Sequence, residues 1–223
     1  MGTVSAIVSA YYCSAFLQKR LDNLHEQDCE IVIIAQEGSK EAEIAKNELL
    51  VLTPDIPTIY KAWNLGIKAS TGDYLTSANS DDIFYPGALR KMADVLDNDK
   101  RFAIIYSDVD MTDTIGGEKK TTYKNSRGDF DELMHRCFVG PFPMWRKSLH
   151  EKYGMFNEEF HVAGDYEFWL RIASNGERFY YMPESLGLYV DRPDSAEHRA
   201  RVRTLWETAR AKRPYRSKQN GRN

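Results

Sequence analysis

Apolar residues in the first half of this chain fall into short unbroken runs that alternate with segments of helical spacing. Residues 3–10 form a β-type run, and 15–25 then carry Phe16, Leu17, Leu21 and Leu24 at helical intervals. Residues 30–35 are apolar without alternation, as a strand buried on both faces requires. They lead through Gln36-Glu37-Gly38-Ser39 into a predicted helix over 40–47. The run at 49–52 repeats the buried-strand pattern, Pro54 and Pro57 punctuate the connection, and Ala62, Leu65, Gly66 and Ala69 mark a helix over 59–70. A strand over 73–78, a helix over 87–96 and a strand over 102–106 continue the alternation. Repeated β and α of this kind predicts a mainly parallel, doubly wound sheet with flanking helices.

Beyond Ser107 the pattern is less regular. Ile115-Gly116-Gly117 reads as a tight turn between short polar strands, 131–137 as a short helix, and 142–145 as a short apolar strand. Helices follow over 147–153, stopped by Gly154, and over 166–174, closed by Asn175-Gly176. Strands over 178–182 and 185–189 come next, then an amphipathic helix over 196–211 whose packed face is expected to hold Val202, Leu205 and Ala209. Residues 214–223 read as disordered. The division expected is a domain over 1–195, with a regular half (1–107) and a less regular half (108–195), then a C-terminal helix and basic tail (196–223).

Composition narrows the class. With 223 residues, 42% of them hydrophobic, the chain can bury one sizeable core. Its formal net charge of -3 is unremarkable and no nucleic-acid partner is expected, although Arg and Lys outnumber Asp and Glu from Arg192 onward. The three cysteines, Cys13, Cys29 and Cys137, form no C-x-x-C pair, which points to reduced thiols and a cytoplasmic protein. The start has no basic stretch before an apolar run, so it does not read as a signal peptide, and no run approaches a membrane span.

Three stretches can carry chemistry. The first is Asn79-Ser80-Asp81-Asp82, at the carboxyl end of the strand that begins near Tyr74 and ahead of Pro86, a residue suited to a first helical turn. Ligands of open α/β sheets bind at that edge, and adjacent carboxylates there suit Mg²⁺ or Mn²⁺. The same residues also serve as turn and helix-cap groups. Successive side chains of an extended segment point to opposite faces, so Asp81 and Asp82 reach one ion only if the backbone turns between them. The second stretch is Gly164-Asp165-Tyr166-Glu167-Phe168-Trp169-Leu170-Arg171. On a helix, Asp165, Trp169 and Ile172 share a face, which directs a carboxylate toward the packed side as a candidate general base; a cap at Asp165 and a Glu167–Arg171 ion pair are the ordinary alternative. In the third, Glu37 lies at the same sheet edge and can accept hydrogen bonds from a base or ribose.

Taken in order, these stretches resemble the family 2 glycosyltransferases of the GT-A fold. The resemblance runs from Val4-Ser5-Ala6-Ile7-Val8-Ser9-Ala10-Tyr11-Tyr12 through Glu37-Gly38-Ser39, Ala62-Trp63-Asn64-Leu65-Gly66-Ile67 and Asn79-Ser80-Asp81-Asp82. It continues in Gly154-Met155-Phe156-Asn157-Glu158 and the stretch around Asp165, up to about residue 195. It implies inverting, metal-dependent transfer of a sugar from a nucleoside diphosphate, a UDP-sugar by preference, to a hydroxyl of a glycan or lipid-linked acceptor. It further implies that 1–107 is the nucleotide-binding half and 108–195 the acceptor-side half. Asp165 is then the catalytic base, and Asp81 or Asp82 holds Mn²⁺ or Mg²⁺, with Asp82 favoured as the direct ligand and Asp81 on the diphosphate-ribose side. Ala10, Tyr12, Glu37, Lys61, Asn64, Asn79 and Ser80 are the further donor-site candidates, a solvated Lys61 being the plainer reading. Trp145, His161 and Glu167 are placed on the acceptor side, although most of the aromatic residues in this half belong in a core.

Three departures from the family pattern stand out: Asn79 replaces an aspartate of the D-x-D motif, Gln36 an acidic residue of the loop at Glu37, and Gly164 a glutamate before the catalytic aspartate. An amide brings no charge to a cation, so a catalytically silent nucleotide-sugar-binding domain is the alternative. A nucleotidyltransferase is disfavoured, because no Gly-rich loop with Arg and Lys follows the first strand. The basic stretch over 199–216 suits either contact with anionic lipid or plain solvation.

Overall fold

A computed structural model describes residues 1–191 and 200–216 of the chain. The elements are β1 (Val4–Ala10), α1 (Leu17–His25), β2 (Glu30–Gln36), α2 (Lys40–Ile44), β3 (Leu49–Thr53), α3 (Ile59–Ala69), β4 (Tyr74–Ser77), β5 (Ile83–Phe84) and α4 (Ala88–Asn98). After them come β6 (Phe102–Thr112), β7 (Thr121–Tyr123), α5 (Phe130–His135), β8 (Met144–Arg146), α6 (Ser148–Tyr153), α7 (Gly164–Ala173) and β9 (Arg178–Val190). We number the helix Arg201–Lys212 α8; a 3-10 turn, Arg213–Tyr215, follows it.

One nine-stranded sheet runs in the order β3-β2-β1-β4-β8-β6-β9-β5, with β7 paired to β6. The first four strands are parallel, as their apolar runs predict. Then β8 enters antiparallel between β4 and β6, and β9 lies parallel to β6. Side chains alternate between two cores. Ile7, Val32, Ile34 and Leu75 meet α3, α5 and α7 on one face; Ala6, Val8, Ile31 and Ile33 meet α1 and α4 on the other.

Several expectations change. Leu49 and Leu52 are 43% and 50% exposed because β3 is the edge of the sheet and is not buried on both faces. The two late strands are one, β9, whose register on β6 jumps from Met182 to Ser185; Pro183, which has no N–H for the ladder, falls in that bulge. The short β5, not foreseen, ties the segment after Asp82 to Gly187 and Leu188. Helix α8 is turned the other way round, with Val202 and Leu205 82% and 68% exposed while Glu207 and Ala211 are buried. Pro214 lies in the 3-10 turn, whereas the expected boundary at 195/196 and the stretches 192–199 and 217–223 fall outside the described residues.

Candidate active site

Because β1, β2 and β4 are parallel, with Ala10 opposite Ala35 and Ile7 opposite Ser77, the segments that follow them leave from one edge. Ala10 ends β1 with its methyl group buried. Tyr12 is 85% exposed with φ +52°, and its ring centre lies 4.2 Å from that of Tyr11. The buried Glu41 carboxylate holds the base of this loop, its Oε1 accepting from the backbone N–H groups of Cys13 and Ser14 at 2.9 Å each. Beside it Glu37 is exposed, Gly38 takes the positive φ its turn requires, and Ser39 Oγ caps α2 by accepting from the Ala42 N–H. The Gln36 amide donates to the Pro54 carbonyl, which fixes β2 against the β3 exit.

The strand-end loop turns at Ser80 and Asp81, and that turn sends its two aspartates different ways. Asp82 is only 2% exposed: its Oδ1 accepts from the Val190 N–H at 3.0 Å and its Oδ2 from the Asn79 amide at 3.1 Å. Arg20, buried on α1, donates to the Asp82 carbonyl at 3.0 Å and to Asn23, with its guanidinium 4.6 Å over the Phe84 ring. Its Nε and Nη2 find no acceptor among the described residues. Burial foremost, then the neighbouring Asp81 charge, pushes the Asp82 carboxyl up to about 7; burial brings the Arg20 guanidinium down to about 10 despite Asp82. The expectation that Asp82 is the direct metal ligand is therefore corrected: its oxygens already brace the loop. Asn79, Ser80 and Asp81 are half-buried at its outer side.

These residues fit a Mg²⁺ or Mn²⁺ site of limited denticity. Asp81 supplies a hard carboxylate, and Asn79, whose amide N–H is committed to Asp82, has its carbonyl oxygen to offer. No three acidic, His or Cys side chains converge into a metal cage among the described residues. Metals that ride on a diphosphate need only one or two protein carboxylates.

Asp165 lies in the first turn of α7, half-buried. The hydroxyl of Tyr60, a buried residue of α3, donates to Asp165 Oδ1 at 3.1 Å; burial and then the Asp165 charge hold that phenol well above its ordinary pKa. A Cβ at Gly164 would sit 2.7 Å from the Tyr60 ring, so a glutamate there has no room, and the departure at this position follows from the packing. Asp165 and Asn79 line one cavity of about 390 Å³, together with Tyr189 and, from α8, Thr204, Thr208 and Lys212.

Other candidates take structural places. Asn64 is buried, donating to the Phe156 carbonyl and to Glu158 at 2.9 Å each and accepting from the Phe156 N–H, so it straps α3 to the segment before α7 and is not a nucleotide contact. Lys61 pairs with Asp55 at 2.7 Å on the surface. Trp145 is 1% exposed, donates to His150 Nε2 at 2.9 Å and packs 5.5 Å from Trp169; it belongs to the core and not to an acceptor face. Glu167 makes the fork with Arg171 that the i, i+4 spacing allows, which takes its carboxylate away from an acceptor role. His161 is exposed, and its backbone N–H donates to Glu207. Tyr60, Arg20 and Glu207, which organise the site, carry no local signal in the sequence beyond their places on amphipathic helices.

The model of the glycosyl transferase family 2 matches residues 5–154, about two thirds of the chain. The chain belongs to the family 2 glycosyltransferases. Relatives of this family include an uncharacterized glycosyltransferase of Rickettsia felis, 25% identical over 190 residues, and YwdF, an uncharacterized glycosyltransferase of Bacillus subtilis, 25% identical over 194 residues. The matches take in 76% and 77% of this chain but 31% and 68% of those proteins, so the chain spans about a third of the Rickettsia relative. Its GT-A fold is that of S. aureus TarS bound to UDP-GlcNAc, with a TM-score of 0.69, 18% identity and coverage of 88% of this chain and 60% of that one. It is likewise that of the mannosyltransferase PcManGT of Pyrobaculum calidifontis with GDP-Man and Mn²⁺, at 0.66, 19%, 91% and 61%.

Proposed function

We propose that this family 2 chain is the donor-binding and catalytic unit of an inverting glycosyltransferase, transferring a sugar from a nucleoside-diphosphate sugar to a hydroxyl of a glycan or lipid-linked acceptor. The observation that carries this reading is the pairing of Asn79, from the strand-end loop, with Asp165, from α7, across one cavity. Tyr11 and Tyr12 offer exposed ring faces for a nucleobase, and Glu37 an exposed carboxylate for base or ribose. Asp81 and the Asn79 carbonyl would hold Mn²⁺ or Mg²⁺, which when bound offsets charge developing on the departing diphosphate. Asp165 takes the proton from the attacking hydroxyl, and the Tyr60 hydrogen bond fixes the carboxylate that receives it. A base opposite the leaving group favours attack from the far face and hence inversion. UDP-sugars are the donors to try first, since the TarS structure holds one.

No described helix is long and apolar enough to cross a membrane. The outward Val202, Leu205 and Trp206 with Arg201 and Arg203 support contact with an anionic lipid surface, where a lipid-linked acceptor would be met.

Thermal unfolding with UDP, GDP, dTDP and CDP, each with Mn²⁺ and again with EDTA, tests the donor site. A ligand at a hundred times its Kd adds about 2.7 kcal/mol. The expected result is a raised midpoint with one nucleotide, dependent on the metal and lost in Asp81→Asn. No shift with any nucleotide would sink the donor site, whereas a metal-dependent shift without turnover of any nucleotide sugar would leave the silent nucleotide-sugar-binding domain in its place.

A further inference from the structure

Glu207 is a buried carboxylate that none of the proposed chemistry uses. It sits in the middle of α8, beyond the residues the family model covers, and is 1% exposed. Its Oε1 and Oε2 both accept from the His161 N–H at 3.0 Å, and Oε2 accepts further from Val162 at 2.9 Å and Ala163 at 3.0 Å. These are the backbone donors at the threshold of α7, a helix whose N-cap, Ala163, has no side chain able to bond them. The carboxylate thus holds the three amides that lead into the helix, the N-cap N–H among them, where a Ser or Asp cap would bond N–H groups inside the first turn, and its charge complements the positive end of the helix.

The neighbourhood shows that α8 is docked for this contact. Ala211, one turn on, is buried in the same apolar cluster as Tyr166 and Trp169. The Arg210 guanidinium lies 4.7 Å over the Phe160 ring and pairs with Glu159, while Lys212 donates to the His135 carbonyl at 3.1 Å. Tyr215 sets its ring edge-on to Phe130 at 5.7 Å. The inward face of α8 also supplies Thr204, Thr208 and Lys212 to the cavity that Asp165 lines.

We infer that Glu207 is a positioning residue: by gripping the backbone over residues 161–163 it sets the first turn of α7, and with it the place of the Asp165 carboxylate, two residues on, against the cavity wall built by its own helix. This makes α8 part of the catalytic unit and not a tail attached to it. The inference rests on Asp165 being the base.

The test joins amide exchange to turnover, using wild type, Glu207→Gln, Glu207→Asp and Asp165→Asn. In wild type the amides of 161–163 are expected to exchange as slowly as those inside α7; exchange at the rate of open loop amides would overturn the inference without any variant. In Glu207→Gln, with one acceptor oxygen and no charge, exchange over 161–166 should rise at least about tenfold while β1 and β4 stay unchanged. Release of nucleoside diphosphate from UDP-GlcNAc, UDP-glucose and GDP-mannose with Mn²⁺ should show kcat about 10- to 100-fold lower and the donor KM unchanged, with Glu207→Asp in between. Faster exchange with unaltered kcat would reduce Glu207 to a stabilising cap and sink the positioning role. Asp165→Asn separates the two readings: it should keep slow exchange and lose turnover. An Asp165→Asn protein as active as wild type removes the base assignment, and the positioning role falls with it, while the exchange result still decides the cap.

Discussion

The strand-end loop and the first turn of α7 solve the same problem with different means. Each carries one half-buried acidic side chain, Asp81 or Asp165, and in each a second, buried carboxylate ties down backbone. In the loop the two are neighbours: Asp81 at the turn, Asp82 inward on the Val190 N–H and beside Arg20. At α7 they are far apart in sequence: Asp165 sits on the helix, and Glu207 reaches it from α8 through three consecutive N–H groups. Both braces lean on other elements, the loop's on β9 and α1 and α7's on α8, so the two acidic side chains depend on different parts of the fold staying docked. Damage to Arg20 should therefore stay in the loop, and damage to Glu207 or α8 should reach Asp165.

Arg20→Met is the largest break available on the loop side. It removes the buried donor to the Asp82 carbonyl and to Asn23, each a hydrogen bond from a charged group and so about 1.5–3 kcal/mol. Denaturant unfolding near neutral pH should show that loss, and Asp82→Asn added to it should restore part of it. Amide exchange over 161–166 should not change. A cost under about 1 kcal/mol would mean that Arg20 does not brace the loop, and the likeness between the two regions would fail.

Acid sharpens the comparison on the α7 side. His150 stacks on Phe168 of α7 with ring centres 4.7 Å apart, accepts from Trp145 through Nε2 and faces the Gly154 carbonyl through Nδ1, an arrangement that needs a neutral ring. Burial lowers its pKa from 6.5 to about 4. Because the folded-state value is depressed, the unfolded chain binds the extra proton first: the contribution is complete above 6.5 and is lost as pH falls toward 4. The full effect is about 3 kcal/mol at 1.36 kcal/mol per unit. The unfolding midpoint should fall across that window, and the fall should shrink in His150→Gln, which keeps a donor and an acceptor but does not titrate. An equally steep fall in the variant would assign the acid sensitivity elsewhere.

What could be read from the sequence follows the same division. The parallel strands β1 to β4 were legible because each is a run of contiguous residues, and the turn at Asn79 to Asp82 because Asn, Ser and Asp announce it locally. Which aspartate faces inward was not, since that depends on Val190 and Arg20 from other elements. The orientation of α8 was misread for a physical reason: its apolar stripe points out, and its inward face holds Thr204, Glu207 and Thr208. A glutamate is buried there because the segment 161–163 ahead of α7 offers it three backbone donors. The pattern of one helix does not reveal what another lacks. Trp145 was misplaced similarly, since an aromatic side chain can face a sugar or a core, and only the packing of β8 on β4 and β6 decides.

Tyr60→Phe asks for the smallest change at Asp165 itself. The ring stays, so the contact that excludes a Cβ at Gly164 is kept, and only the hydroxyl bonded to Asp165 Oδ1 is removed. The loss in kcat should be about tenfold, close to 1.4 kcal/mol, with the metal-dependent nucleotide shift unchanged because Asp81 is untouched. Gly164→Ala separates ring from hydroxyl: its Cβ meets the ring whether or not the hydroxyl is present, so it should be as damaging in Tyr60→Phe as in wild type. If Tyr60→Phe instead relieved Gly164→Ala, the hydroxyl and not the ring would be what fills the space beside residue 164.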